Sequence, residues 1–229
     1  MHNLEQRIRK LTQEINGQYP RPWMTDSTEP HRARVFIVGY NPATAYHTDT
    51  VDFERHINAL FNRNGESCRR LYAEVRQQSP SRGNIEMLTE KLQAAGVANI
   101  LETNVVAYGT RKSSDLRRPE HAGGKERGLE IIRVLIEEFR PAALIVHGKG
   151  VCDEVSSALR LCPRLPSPPN CADQFADYEM PGGPRIFVIP SLALPGFQNW
   201  PSSPLPAFCR WADAYLDEVA KRVAAHCRV

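Results

Sequence analysis

Short apolar segments alternate with longer amphipathic segments along most of the chain. Four apolar runs lead into polar or small residues, and they cover residues 35–38, 99–104, 142–146 and 185–189. Such runs are typical of strands buried in a parallel sheet. Apolar residues recur at helical spacing in five further segments, which are 52–78, 84–95, 124–139, 150–160 and 207–226. Strands that alternate with helices in this way indicate an α/β fold.

We expect residues 1–229 to form a single domain of three layers, α/β/α, around a central four-stranded, mainly parallel sheet. Residues 4–15 place apolar side chains on one helical face, and residues 17–33 contain three prolines that favour an irregular connector. This N-terminal part should pack on the domain, because Tyr19, Trp23 and Met24 would be costly to expose. Residues 162–184, with six prolines, are predicted to be a loop.

The composition is that of a globular protein, and it excludes only a few classes of function. Hydrophobic residues make up 41% and charged residues 24% of the 229 residues, which excludes a largely disordered chain. No apolar stretch is long enough to cross a membrane, and the first residues lack the apolar centre of a signal peptide, so we expect a cytoplasmic protein. The net charge of +3 permits nucleic-acid binding without requiring it.

The six cysteines give no sign of a metal or cofactor site. None forms a C-x-x-C pair, and no group of Cys and His has the spacing of a zinc site or an iron–sulfur cluster. We therefore expect reduced thiols, no bound metal and no cofactor. Cys152 and Cys209 fall within apolar periodic segments, so we expect both in the core.

Each predicted strand leads directly into a loop of polar and small residues. The four loops are GYNPAT at 39–44, TNVVAYGT at 103–110, HGKG at 147–150 and PSLALPG at 190–196. The carboxyl ends of parallel strands share one edge of an open sheet, and that edge is where such folds bind ligands. Each motif alone also has an ordinary structural explanation, such as an Asn-Pro turn, but together the four indicate a binding site.

In this order the loops resemble the motifs of the uracil-DNA glycosylase superfamily, and most of all its mismatch-specific branch of thymine-DNA glycosylases and bacterial mismatch uracil glycosylases. That branch has G-x-N-P-G after the first strand, T-N at the end of a later strand, an N-G-K-like turn and a closing x-P-S. The matching segments here are 39–43, 103–104, 147–149 and 189–191. The resemblance spans roughly residues 34–200 and implies the fold of that superfamily.

The resemblance implies a monofunctional DNA glycosylase. Such an enzyme hydrolyses the N-glycosidic bond of a pyrimidine that has been flipped out of the helix, and it leaves an abasic site. Uracil, mismatched thymine and 5-modified pyrimidines are the candidate bases, and the implied partner is double- or single-stranded DNA bound by a monomer. Many superfamily members stabilise the leaving base with the His of a His-Pro-Ser motif. Ile189 stands at that position here, and the mismatch branch lacks this His as well.

Two asparagines would carry the chemistry that the resemblance implies. Asn41 would hold the attacking water with its side-chain carbonyl, and since an amide is not a base near neutral pH, we expect slow hydrolysis. The alternative for Asn41 is an Asx turn that caps the following segment. Asn104 would bond the polar edge of the flipped base, because an amide offers both a donor and an acceptor. The alternative for Asn104 is a buried amide that ties neighbouring loops together.

Three further residues are candidates for the walls of the base pocket. Phe53 lies twelve positions after Asn41, which is about where the family places its base-stacking aromatic ring. Packing within its helix is the alternative for Phe53, and Tyr46 competes for the same role. The uracil-specific enzymes have a tyrosine at the position of Ala43, so alanine would leave open space beside C5 of the base.

The DNA contacts are assigned to residues of the same loops. By the resemblance, Ser191 would contact a phosphate, and Leu192 or Leu194 would insert into the vacated base stack. Further candidates for contacts with DNA are Thr44, Arg111, Lys112, Arg117, Arg118 and Lys149. Ordinary solvated charge is the alternative for each of these cations.

Several classes of function stay open at this level. A repair glycosylase competes with a glycosylase that removes bulky modified pyrimidines from phage DNA, and Ala43 accommodates both. The same fold could instead bind nucleic acid without cleavage, because the motif His and a catalytic Asp are both missing. An unrelated nucleotide-binding α/β enzyme is disfavoured, since no G-x-G-x-x-G follows the first strand.

Overall fold

The computed structural model describes residues 2–76, 80–169, 174–192 and 205–228. Within these ranges the chain forms seven α-helices: α1 (His2–Leu11), α2 (Phe53–Leu60), α3 (Cys68–Val75), α4 (Pro80–Ala94), α5 (Gly124–Phe139), α6 (Lys149–Ala158) and α7 (Leu205–Cys227). Three short 3₁₀ helices cover Pro30–Arg32, Ser113–Arg117 and Pro119–His121. None of the helices described combines the length and the apolar character needed to cross a lipid bilayer.

The same ranges contain seven strands in two sheets. The strands are β1 (Gln18–Tyr19), β2 (Val35–Gly39), β3 (Tyr46–His47), β4 (Ile100–Asn104), β5 (Ala143–His147), β6 (Ala176–Glu179) and β7 (Arg185–Ile189). β1 and β3 form a small antiparallel pair, and the other five form a sheet in the order β4-β2-β5-β7-β6. β2 and β7 run parallel to β5, whereas β6 is antiparallel to β7. The predicted α/β class with a mainly parallel sheet is therefore confirmed.

The sheet has five strands rather than the predicted four, because β6 lies within the segment predicted to be a loop. The side chains of β6 alternate between half-buried and exposed, and the strand contains no apolar run. Hydrophobic patterning therefore gives no signal for it. Its backbone pairs with β7 from Ala176 opposite Val188 to Glu179 opposite Arg185. Polar residues suit this edge position, since an edge strand must avoid pairing with other chains.

The single helix predicted over residues 52–78 is two helices, α2 and α3, separated by a turn. Asn62, Asn64 and Gly65 in this turn adopt left-handed backbone conformations, with φ of 49°, 54° and 75°. A left-handed residue cannot continue an α-helix, and Asn and Gly are the residue types that adopt this conformation most readily. Ser67 then caps the first turn of α3 with its side chain.

The chain divides into two compact units. The first unit comprises Met1–Ala33, Gly39–Gln77 and Leu101–Arg140, and the second comprises Arg34–Val38, Gln78–Ile100 and Pro141–Val229. Helices α1, α2, α3 and α5 belong to the first unit, and α4, α6 and α7 belong to the second.

In the first unit, the connector after α1 packs against its surroundings through Trp23. Trp23 is fully buried, and its indole nitrogen donates a hydrogen bond to the carbonyl oxygen of Leu60 at 2.9 Å. Its ring meets those of Phe61 and Phe139 at centroid distances of 5.8 and 6.0 Å. The backbone of Trp23 also bridges to Thr103 in β4. The connector is therefore an integral part of this unit.

In the second unit, one hydrophobic core joins the strands to α4 and α7. It includes Val35, Ile37, Leu88, Leu92, Ala143, Ile145, Phe187, Ile189, Leu192, Leu216, Val219 and Val223. Lys91 of α4 also forms ion pairs with Asp213 and Asp217 of α7 at 2.7 and 2.8 Å. Cys152 is buried as predicted, whereas the side chain of Cys209 lies outside the described residues.

The close approach of α5 to the segment after β4 requires a glycine at position 128. A Cβ atom added to Gly128 would lie 2.7 Å from the backbone nitrogen of Ala107 and 2.8 Å from Cγ1 of Val106. Gly128→Ala should therefore destabilise the protein by about 1–2 kcal/mol, because the cost of overpacking exceeds the gain in helix propensity. Chemical denaturation measures this loss.

A matched control is available in α4. Nothing lies within 4 Å of a Cβ added to Gly83, so Gly83→Ala should be neutral or stabilising by up to about 1 kcal/mol. Equal stability changes in the two variants would contradict the close contact at Gly128.

Candidate functional site

In the first unit, the loop after β2 is joined to the segment after β4 by three backbone hydrogen bonds. The amides of Val105 and Val106 donate to the carbonyl oxygens of Gly39 and Tyr40 at 2.8 and 2.9 Å. Farther along both segments, a third bond of 3.0 Å runs from the Thr110 amide to the Pro42 oxygen. Two of the four predicted loops therefore lie side by side, with Asn41 between the bonded positions.

The side-chain amide of Asn41 is held in one orientation by three oxygen atoms. Nδ2 lies 2.9 Å from Oγ1 of Thr110, 3.3 Å from the Thr110 carbonyl oxygen and 3.2 Å from the Pro42 carbonyl oxygen. Carbonyl oxygens only accept hydrogen bonds, so the nitrogen and not the oxygen of the amide must face them. Oδ1 of Asn41 has no hydrogen-bond partner among the described residues.

This geometry excludes one of the two explanations for Asn41. In an Asx turn, the side-chain oxygen would accept a hydrogen bond from a backbone amide two residues later. Here the contacts of Asn41 are made by Nδ2, and the half-buried side chain leaves its oxygen unbonded. The first loop therefore contains a carbonyl acceptor that makes no hydrogen bond within the described part of the chain.

Asn104, at the end of β4, also has a side-chain amide without a partner. The residue is half-buried, and its amide makes no hydrogen bond within the described part of the chain. The neighbouring Thr103 is buried, and its hydroxyl donates to the carbonyl oxygen of Pro22 at 2.5 Å. Thr103 thus links the connector to β4. Asn104 makes no such bond to the described residues, so it does not have the alternative role of a buried amide that links neighbouring loops. A donor and an acceptor remain available at this position.

The small residues of the first loop differ in their surroundings. Ala43 is exposed, so the described residues leave part of the space around its methyl group open. Thr44 is half-buried, and its hydroxyl accepts a hydrogen bond of 2.8 Å from the exposed Arg76 guanidinium. The predicted DNA contact at Thr44 therefore lies beside a cation that patterning did not single out.

The two candidate stacking rings lie in different environments. Phe53 is the first residue of α2 and is half-buried, with its ring 5.3 Å from that of Tyr19. Tyr46 is only 2% exposed, and the guanidinium of Arg21 lies 4.9 Å from its ring centroid. Burial also raises the pKa of the Tyr46 phenol. The structure contradicts the prediction for Tyr46, because a ring enclosed in the core has no face free for a base.

Uncompensated positive charge follows Thr110 directly. Arg111 and Lys112 are exposed, and neither side chain forms an ion pair with any described residue. Arg118, farther along the same basic loop, is paired with Asp115 and with Glu120. Arg117 is also exposed and has no ion pair with any described residue, so Arg111, Lys112 and Arg117 are the cations of this loop that are best suited to meet phosphate groups.

In the second unit, the other two predicted loops are also joined. The Gly148 amide donates to the Ile189 carbonyl oxygen at 2.9 Å, and the Leu192 amide donates to Nδ1 of His147 at 3.4 Å. Gly148 has a φ of 92°, and a Cβ added there would lie 3.2 Å from Cβ of Ser191. Glycine is needed at this position both for the left-handed φ and for the close approach of the two loops.

His147 is a buried imidazole with one unused nitrogen. Nδ1 accepts from the Leu192 amide, so in the neutral ring the proton is on Nε2, which has no hydrogen-bond partner. Burial lowers the pKa of His147 to about 4. In the sequence, His147 is the first residue of the HGKG turn, and local patterning gives no signal for its burial.

Of the predicted DNA contacts in this unit, one is contradicted and one lies outside the described residues. Leu192 is fully buried in the hydrophobic core, so its side chain is not exposed for insertion into a duplex. Leu194 lies outside the described residues. Lys149 is exposed and pairs with Asp153 at 3.0 Å, and Ser191 is half-buried. Lys149 and Ser191 therefore stay as predicted contacts.

Stability should fall as the pH is lowered, because His56 and His147 are both buried as neutral rings. Desolvation lowers the pKa of each from 6.5 to about 4, and for His56 the nearby Arg21 charge adds to the effect. In the unfolded chain the two imidazoles therefore bind protons below about pH 6.5, whereas in the folded chain they bind protons only below about pH 4. We expect a loss of a few kcal/mol across this window.

Urea unfolding at a series of pH values measures this effect. His147→Gln should flatten the pH dependence, while His47→Gln is the control because His47 is exposed. An unchanged slope in His147→Gln would show that this imidazole is not a neutral buried group.

A cavity of about 380 Å³ in the second unit is lined mainly by apolar side chains, including Phe175, Phe187, Tyr215 and Val219, and by none of the candidate site residues. Within the described ranges, no three His, Cys, Asp or Glu side chains are grouped so that they could hold a metal ion.

Comparison with known proteins adds no relative. No protein-family model matches the sequence, and no curated protein matches it. The resemblance to the uracil-DNA glycosylase superfamily therefore rests on the four short motifs and on the residues that carry them.

Proposed function

We propose that this protein is a monofunctional DNA glycosylase that hydrolyses the N-glycosidic bond of a flipped pyrimidine. The observation that carries the proposal is the Asn41 amide, whose nitrogen is bonded by Thr110 and Pro42 while its oxygen has no bond to any residue that the structure describes. A carbonyl acceptor without a bond to the described residues, in the loop after the first long strand, is what the water-positioning role requires. The role itself comes from the resemblance of the GYNPAT loop.

The chemistry assigned to Asn41 is alignment and not proton removal. A water molecule that donates one hydrogen to Oδ1 has a lone pair free to attack C1′ of the nucleotide. The bond from C1′ to the base breaks, its electron pair stays on the base, and the sugar passes through a cationic state. The water oxygen bonds to C1′, and the proton that it loses passes to solvent. Because an amide cannot take the water's proton near neutral pH, much of the factor of about 10²–10⁴ from a general base is absent. The enzyme should therefore be slow.

The remaining residues of the first unit fit the binding of the base and its strand. The Asn104 amide makes no hydrogen bond to the described residues, and it offers an acceptor to the N3–H and a donor to the O4 of uracil or thymine. Phe53 keeps its assignment as the stacking ring. Arg111 and Lys112 supply unpaired positive charge for phosphates. Lys149 and Ser191 are assigned to further contacts with DNA.

The exposed Ala43 favours a pocket that is open beside C5 of the base. Such a pocket accepts uracil, mismatched thymine and larger 5-substituted pyrimidines. Both repair and the removal of modified bases from phage DNA agree with this observation.

The direct test incubates the protein with oligonucleotides that carry one defined base. The substrates are U:G, T:G and 5-hydroxymethylcytosine:G duplexes and the matching single strands, and the product is detected as a strand break after alkali. The protein is prepared from a host without its own uracil glycosylase, and Asn41→Ala protein is the contamination control. Alkali-dependent breaks in one or more substrates support the proposal. Binding without breaks in any substrate would instead establish a non-catalytic module.

A further inference from the structure

Thr110 holds the Asn41 amide although the two residues are 69 positions apart in the sequence. Its hydroxyl donates to the Lys112 carbonyl oxygen at 2.8 Å, and a carbonyl can only accept. The lone pairs of Oγ1 are therefore the groups that face Nδ2 of Asn41, at 2.9 Å. Thr110 is only 4% exposed, so water does not readily replace its hydroxyl.

The hydrogen-bond partners of Nδ2 among the described residues are all oxygen acceptors. The Thr110 hydroxyl is the nearest acceptor, and the carbonyl oxygens of Thr110 and Pro42 lie farther away at 3.3 and 3.2 Å. The Thr110 amide also bonds to the Pro42 oxygen, which fixes two of these acceptors relative to each other. An NH₂ group can donate hydrogen bonds to these acceptors. A carboxylate oxygen cannot donate, and its negative charge would be repelled by the partial negative charges of the two carbonyl oxygens.

We propose that Thr110 is a positioning residue that holds the Asn41 oxygen toward the substrate, and that its surroundings require an amide and not a carboxylate at position 41. The proposal rests on the proposed function, in which Asn41 aligns the water. It assigns Thr110 no contact with substrate. It also predicts that a stronger base at position 41 would not improve this enzyme.

The first experiment compares Thr110→Val, which lacks the hydroxyl, with Thr110→Ser, which keeps it. In single-turnover reactions on U:G duplex, Thr110→Val should be about tenfold slower, as expected for the loss of one buried hydrogen bond. The dissociation constant for DNA should stay unchanged, and Thr110→Ser should recover most of the rate. Equal rates in the wild type and Thr110→Val, or equal losses in the Val and Ser variants, would overturn the positioning role.

A second readout does not depend on activity. The side-chain amide signals of Asn41 are identified in the nuclear magnetic resonance spectrum by their absence from Asn41→Ala protein. Their hydrogen exchange should be about tenfold faster in Thr110→Val and close to wild type in Thr110→Ser. If exchange responds in this way but the wild type releases no base, the proposed function fails while the amide orientation stands. Unchanged exchange in Thr110→Val would overturn the orientation itself.

The third variant is Asn41→Asp, which is nearly isosteric and, at a half-buried position, should fold. We expect its single-turnover rate near neutral pH to be at least about tenfold below wild type, because the carboxylate meets the two carbonyl oxygens. A rate equal to or above that of the wild type would overturn the requirement for an amide. This variant also keeps the proposal testable if Thr110→Val does not fold.

Discussion

Replacing Asn41 with alanine should slow base release by about a hundredfold or more while DNA binding changes little. The methyl group of alanine cannot accept a hydrogen bond, so the attacking water loses the oxygen that would align it with C1′. Misplacing a reacting group by about 1 Å is enough for a loss of about 10²-fold. Binding should persist because the unpaired cations Arg111 and Lys112 are untouched. Single-turnover rates and fluorescence anisotropy measure the two quantities separately.

Asn3→Ala is the matched control for this variant. Asn3 is an exposed residue of α1, so the same chemical change is made at a position with no assigned role. Its rate should equal that of the wild type. If Asn41→Ala released base at the wild-type rate, Asn41 would not be the residue that positions the water.

Asn41→Ala also removes a structural contact, and this has to be separated from the chemical effect. Loss of the amide leaves the Pro42 and Thr110 carbonyl oxygens without one donor. The expected cost is about 1 kcal/mol in the free energy of unfolding, since the site is half-buried and water can replace the donor. A change of that size does not reduce the folded population by a factor of a hundred.

The elements predicted well from the sequence are those whose burial is set by their own residues. β5 is apolar from Ala143 to Val146, and α5 coincides with the periodic segment 124–139. β6 has no such pattern, because it is an edge strand that exposes alternate side chains. β6 is a strand because its backbone pairs with the edge of β7, and this pairing cannot be predicted from the local sequence of β6.

The candidate site also combines features that the local sequence sets with features that depend on distant parts of the chain. The loops and their two asparagines follow from short motifs, because an Asn-Pro turn after a strand is a local feature. The orientation of the Asn41 amide depends on Thr110, which lies 69 positions away in the sequence. The burial of Leu192 and Tyr46 likewise depends on packing partners from other elements. Candidates chosen by motif position alone therefore include residues whose side chains are buried in the hydrophobic core.

Ala43→Tyr should change which bases are released. Ala43 is exposed, so a phenol can be added there without overpacking the core. If Ala43 lies beside C5 of the flipped base, the new ring occupies the space that a 5-methyl or larger group needs. Exclusion of one methyl group corresponds to about 10–200-fold in rate. We therefore expect release of thymine to fall by that factor relative to release of uracil.

The test uses U:G and T:G duplexes of one sequence, so that the two substrates differ by the 5-methyl group and its effect on the wobble pair. Dividing the two single-turnover rates within each variant removes general effects of the substitution on folding and on DNA binding. Ala43→Ser is the control, because a small side chain should leave the ratio close to that of the wild type. A substrate with a larger 5-substituent should be lost more completely than thymine, since steric exclusion grows with size. Equal losses on all substrates in Ala43→Tyr would place Ala43 away from C5 and would remove the structural reason for expecting a broad range of bases.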